Sequence, residues 1–188
     1  MPQEDGRILR SQKSQNIILE SIISLIINGN FYPTAEEVAK QSGIAIRTVF
    51  RQFADMESLL MKVDEYINNK LITEQKEIKL NTPLLKRLNE ILIERLYLYN
   101  KYQNIMISTI TQLPKYTYLQ KRYPQYQKLL RARTEKVIPE IIKLDRNNQE
   151  LLDATLSFIF FQRLKLQGMS QENIKKSLLS VCRKILNI

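Results

Sequence analysis

The chain has 188 residues, 44% of them hydrophobic, with four glycines, six prolines, one cysteine, no histidine and a formal net charge of +10. That length supports one good core, or one core with a small appended head. The missing histidine removes the commonest general base and metal ligand. There is no paired-cysteine motif, Gly-rich phosphate loop or GxSxG, so neither an enzyme, a metal site nor a cofactor is expected. No apolar run reaches about 18 residues and the N-terminus lacks a signal-peptide core, so a cytoplasmic protein without a membrane span is expected. The lone Cys182 fits a reducing compartment.

Leu, Lys, Glu, Gln and Arg suit helices, and the apolar spacing is helical almost throughout, so the expected class is all-α. The charge is unevenly placed. Residues 1–55 hold six basic and six acidic residues, among the latter Glu4 and Asp5, whereas Lys101 to Arg133 holds seven basic residues and no acidic one. The excess accompanies a Lys-, Ile- and Asn-rich composition, and by itself says little about nucleic acid.

A first helix is expected over Arg7 to Asn28, with Ile18, Ile22, Leu25 and Ile26 on its buried stripe and Gly29 as its stop. Thr34-x-x-Glu37 is a capping box that opens a second helix, with Val38 and Ala39 inward. Gly43 makes a turn and Ile44 plugs it. A third helix runs from about Ala45 to Phe53, with Val49 and Phe53 in the core. Ile46, Arg47, Phe50 and Arg51 fall on other faces. A short helix that exposes such residues after a tight Gly turn has the shape of a major-groove reader.

Thr34, Glu37, Val38 and Ala39, then Gly43 and Ile44, then Arg47, Thr48, Val49, Phe50, Arg51 and Phe53, then Glu57, Ser58, Leu59 and Leu60 form one spaced pattern. Over roughly residues 8–62 it resembles the N-terminal head of the TetR (tetracycline-repressor-like) regulators. The resemblance implies that Thr34 approaches a DNA phosphate. It places Ile46, Arg47 and Thr48 at base edges or the adjacent backbone, Phe50 against the sugar-phosphate where Tyr is usual, and Gln52 at a further contact position. Ala45 and Arg51 complete the expected interface. Three departures stand out. Phe50 lacks the tyrosine hydroxyl, Ala45 cannot cap the recognition helix, and Met56 replaces a usual lysine.

Asp55 is the expected cap of a fourth helix reaching about Leu80, with Leu59, Leu60, Val63, Ile67 and Leu71 inward. Thr82 and Pro83 mark a restart, with Thr82 as cap and Pro83 at the first helical position. The helix after them runs to about Lys101 and turns Leu84, Leu85, Leu88, Leu92 and Leu96 inward. Tyr102 to Leu113 continues as another helix, stopped by Pro114. Residues 115–126 are expected to be irregular. A helix from about Gln125 to Lys143 should bury Leu129, Leu130, Val137, Ile141 and Ile142, with a kink at Pro139. Asn147-x-x-Glu150 opens a helix through Gln167 that is apolar nearly all round and so needs cover on all sides. Gly168 ends it and Ser170 caps the last helix, where Ile174, Leu178, Cys182 and Ile185 align.

The resulting expectation is a three-helix helix-turn-helix head over 1–54 and a body of about five to six helices over 55–188, dimeric through Leu152, Leu156, Ile159, Phe160, Leu178 and Ile185. A pocket for a partly apolar small molecule is expected from Tyr97, Tyr102, Met106, Ile110, Tyr118 and Tyr126. The expected partners are double-stranded DNA carrying a palindromic operator, a second copy of the chain and a small-molecule effector. The expected function is a ligand-released, sequence-specific repressor. The alternative is a helical dimeric ligand- or protein-binding module with weakened or lost DNA binding.

Overall fold

A computed structural model describes residues 6–188, and it is all-α. It comprises ten α-helices and one 3-10 segment, with no strand among the described residues. Glu4, Asp5 and the rest of the first five residues of the expected head lie outside the described residues, as does the Arg7 side chain. In order the helices are α1 (Gly6–Ile27), α2 (Ala35–Ser42), α3 (Ile46–Gln52), α4 (Met56–Thr73) and α5 (Leu84–Lys101). There follow α6 (Gln103–Gln112), α7 (Thr117–Val137), the 3-10 segment η1 (Pro139–Lys143), α8 (Arg146–Thr155), α9 (Phe158–Leu166) and α10 (Gln171–Leu186). No helix is long and apolar enough to cross a membrane among the described residues.

The chain divides into two compact units, Met1–Glu74 with Asn104–Lys121, and Gln75–Gln103 with Arg122–Ile188. In the first, α1 packs on α2, α3 and α4. Ile18, Ile22 and Ile26 meet the same core as Val38, Val49, Phe53, Leu59 and Leu60, all buried. The Asn104–Lys121 segment finishes this unit with polar bonds. Asn104 Nδ2 donates to the Ile27 carbonyl at 2.7 Å, one of the last-turn carbonyls that α1 itself leaves unpaired. Ser108 Oγ donates to the Phe31 carbonyl at 3.0 Å. Glu57 on α4 accepts the Tyr118 backbone N–H at 2.6 Å, and Asp64 accepts the Tyr118 hydroxyl.

The second unit is built on α5, whose buried face carries Leu88, Ile91, Leu92, Leu96 and Tyr99 but also three charged side chains, Arg87, Glu94 and Arg95. Arg87 bonds Glu140 and donates to the Val137 carbonyl at 2.7 Å. The Glu94–Arg133 pair closes at 2.7 Å with side chains only 4% and 13% exposed. Such pairing is what makes charge tolerable in an interior, since an unpaired buried ion costs several kcal/mol on the order of magnitude.

Several expected boundaries are corrected. The fourth helix stops at Thr73 rather than near Leu80. Beyond it, Glu94 accepts the Lys76 N–H at 2.9 Å and Arg133 donates to the Lys76 carbonyl at 2.6 Å, so side chains occupy the groups a helix would use. Pro83, not Thr82, is the cap residue of α5, and the Thr82 hydroxyl instead donates back to the Lys79 carbonyl. Residues 117–126 are helical despite Pro124, anchored by buried Leu119. Pro139 has no N–H to give, and Ile138 before it leaves the helical region at φ −126°, ψ 70°, so α7 ends and the following turn is 3-10. Asp145, not Asn147, caps α8 by accepting the Asn148 N–H at 3.0 Å.

The long helix expected over Leu151 to Gln167 is two helices. Ser157 caps α9, accepting the Phe160 N–H at 3.2 Å. The freed Leu156 carbonyl accepts from the Tyr99 hydroxyl at 2.7 Å and from Arg95 at 3.1 Å. The break is therefore satisfied internally. Splitting the helix also changes which residues face out. Leu151 and Ile159 are about half exposed, as are Leu85 and Leu129 of the earlier stripes, while Ile142 is 81% exposed. Cys182 is fully buried, as expected, and burial pushes its thiol up to about 12.

Candidate nucleic-acid interface

Thr34 to Gln52 forms the expected helix, Gly turn and helix. Thr34 Oγ1 accepts the Glu37 N–H at 3.2 Å and the Glu37 carboxylate accepts the Thr34 N–H at 2.8 Å, a complete capping box. That backbone hydrogen bond holds the Glu37 carboxyl below its ordinary range. Gly43 lies at φ 67°, ψ 16°, the left-handed region a glycine adopts most readily. The Ile44 N–H is taken by Ser42 Oγ at 3.3 Å, and Ile44 itself is half-buried.

The third helix is only seven residues long, on the order of 10 Å, short enough to lie within a major groove about 12 Å wide. Val49 and Phe53 anchor it, 2% and 7% exposed. Its outer face carries two parallel ridges at i, i+4 spacing. Ile46 and Phe50 make an apolar ridge, 37% and 46% exposed. Arg47 and Arg51 make a basic one, exposed and without a hydrogen bond or ion pair among the described residues. Thr48 is half-buried beside them. The outer face of α3 thus offers two exposed cations beside an apolar ridge, a combination that can meet phosphates, guanine edges or thymine methyls.

Two expected contributors have other duties. Gln52 Oε1 accepts from Ser11 Oγ at 3.0 Å and Gln15 Nε2 at 3.1 Å, so its oxygen braces α3 against α1. Thr34 sits at a helix start that already carries Glu36 and Glu37 in its first turn. These carboxylates compete with a phosphate for the same helix end. Ala45 makes no side-chain cap bond; its carbonyl takes the Thr48 and Val49 N–H groups at 2.7 and 3.2 Å. On α4, Asp55 accepts the Ser58 N–H at 2.7 Å, which holds its carboxyl below the ordinary range.

The six residues expected at a ligand pocket do not assemble within one unit. Met106, Ile110 and Tyr118 belong to the first and Tyr97, Tyr102 and Tyr126 to the second. Tyr118 is engaged by Glu57 and Asp64. Tyr97 lines a shallow groove of about 590 Å³ between α5 and α10, with Ile93, Lys101, Gln171 and Lys175. Of the six residues expected at a dimer interface, Leu152, Leu156 and Leu178 are core residues of a single copy, at most 2% exposed. Ile159 is 51% exposed, with Phe160 and Ile185 half-buried.

Arg95 is also buried on α5, outside the expected inward stripe of leucines. The signal for this burial was present in the stripe Leu88, Ile91, Leu92, Arg95, Leu96 and Tyr99, where a basic residue occupies an inward position.

No protein-family model and no curated protein matches the sequence. Among solved structures the chain is similar to a transcriptional regulator from Rhodococcus sp. Rha1. The two share a TM-score of 0.70 and 14% sequence identity over 94% of this chain and 96% of that one. At that identity the likeness is one of fold, that of an all-helical chain.

Proposed function

We propose that the chain is a sequence-specific DNA-binding transcriptional regulator of the TetR kind. The observation that carries this is α3, a short helix after a left-handed Gly turn, with Ile46, Arg47, Phe50 and Arg51 exposed together and both arginines unpaired among the described residues. The similarity in fold to a transcriptional regulator supports it. In this reading residues 1–54 are the DNA-binding head and 55–188 the body. Arg47 reads guanine, with Thr48 and Ile46 beside it, and Arg51 holds a phosphate.

Two copies joined through the exposed apolar surface around Ile159 present two heads to a palindromic operator, with half-sites about 34 Å apart. The protein works in the cytoplasm as a repressor. A small-molecule effector favouring a body conformation with mismatched heads releases the DNA by its differential binding energy. Selection from a random pool of duplexes tests the reading. Wild type should enrich an inverted repeat, and the Arg47→Ala, Thr48→Ala double variant should not; equal enrichment by both sinks it.

A helical dimer without DNA binding is the second reading, favoured by the uncapped Ala45, the missing hydroxyl at Phe50 and the carboxylates at the start of α2. Under it, wild type enriches no sequence.

A further inference from the structure

Three arginines of the second unit are held by carboxylates. Arg87 is paired with Glu140, Arg133 with Glu94, and Arg131 with Glu150 and Asp153. Arg95, 6% exposed, has no carboxylate among the described residues. Its terminal nitrogens donate only to neutral acceptors, namely the Leu156 carbonyl at 3.1 Å, the Leu130 carbonyl at 2.6 Å, Thr134 Oγ1 and the Tyr99 hydroxyl at 3.4 Å. No bond uses its Nε among the described residues. Leu156 caps the C-terminal, partly negative end of α8, which offsets some of the charge but supplies no counter-ion. A buried cation in this state still favours an anion.

A second observation comes from α7, the helix that supplies two of the Arg95 acceptors. The Tyr126 hydroxyl is buried without a hydrogen-bond partner, alone among the described residues. Buried polar atoms are almost always paired, so this hydroxyl has hydrogen-bonding capacity to offer a molecule that reaches it. Tyr126 stands one turn before Leu130 and two before Thr134 on α7, the face from which Arg95 takes two of its acceptors. Tyr123 lies on that face as well, where burial raises its phenol above the ordinary value. The surroundings are aromatic. The Tyr99, Phe158 and Phe161 rings pack at centroid distances of 5.5 to 6.2 Å.

We propose that the second unit holds a binding site for an amphipathic organic anion, its carboxylate taken by the Arg95 guanidinium and the Tyr126 hydroxyl and its apolar body by the neighbouring rings. The planar fork of arginine suits a carboxylate, and burial makes the charge-assisted bonds strong. The ligand enters by exchanging one neutral acceptor of Arg95 for an ionised one. Its part as the effector rests on the regulatory reading above; its binding does not.

Calorimetric titration of the full chain without DNA separates the two. The probes are 2-naphthoate and decanoate, each against its amide, at neutral pH. The expected result is saturable binding of at least one acid, one per chain, roughly tenfold or more tighter than its amide. Tyr126→Phe should weaken the acid and leave the amide and the melting temperature unchanged. Arg95→Lys, if it folds, should bring acid and amide close to parity. Absence of binding by both acids, equal affinity for acids and amides, or a Tyr126→Phe chain that binds like wild type would overturn the site. None of these outcomes bears on whether α3 binds DNA.

Discussion

At the residue scale the proposed interface is lean, and its weak points are single atoms. Ala45 leaves the start of α3 without a side-chain acceptor. Ala45→Ser should raise stability by about 0.5–1 kcal/mol, seen as a higher urea midpoint, because the serine oxygen gains the N–H of the second or third helical residue. Phe50 is 46% exposed, with its ring on the outer face of α3. Phe50→Tyr adds a hydroxyl where a phosphate would lie, and should tighten DNA binding about threefold to tenfold with little change in stability. Equal affinity of the two proteins in a fluorescence titration would show that this face does not approach the backbone.

At the element scale, helix starts are held by side chains. Glu37, Asp55 and Asp145 each accept backbone N–H bonds that hold their carboxyls below the ordinary range. A depressed folded-state value means that the stabilisation is present above the unfolded-state value, about 4, and disappears as pH falls through the folded value. The urea midpoint should therefore hold steady from neutral pH down to about 5 and fall on further acidification below about 4. An acid limb that begins near pH 6 would assign the loss to other groups. These caps also explain what was legible. The Thr34–Glu37 box, the Gly43 turn, the Asp55 cap and the Ser170 cap are local devices, and each stands where its residues suggest. The break at Leu156–Ser157 was not legible, because the carbonyl it frees is taken by Tyr99 and Arg95 from another helix. The early end of α4 has the same cause, since Glu94 and Arg133 are far along the chain from Lys76. Of the interface, the exposure of Ile46, Arg47, Phe50 and Arg51 follows from their spacing against Val49 and Phe53. The engagement of Gln52 by Ser11 and Gln15 does not, because it depends on how α1 crosses α3.

At the scale of the whole molecule, charge is segregated between the two units. The first unit contains ten basic and ten acidic residues, the second nineteen and nine, so the entire excess of +10 lies outside the unit that carries α3. A neutral reader gains little from general attraction to DNA, so its affinity should depend on two copies acting together. Ile159 is 51% exposed. Ile159→Glu should convert a dimer to monomer in sedimentation velocity while the helical circular-dichroism signal is retained; a wild-type chain that sediments as a monomer would remove the two-fold basis of the proposed operator. The most direct measurement is competition binding on the duplex that wild type enriches, against a scrambled duplex of the same composition, at about 150 mM salt. Wild type should prefer the enriched sequence by about a thousandfold or more, and Arg47→Ala should lose roughly 1–3 kcal/mol on that sequence alone. Equal affinity of wild type for both duplexes would contradict the assignment of α3 as a DNA reader.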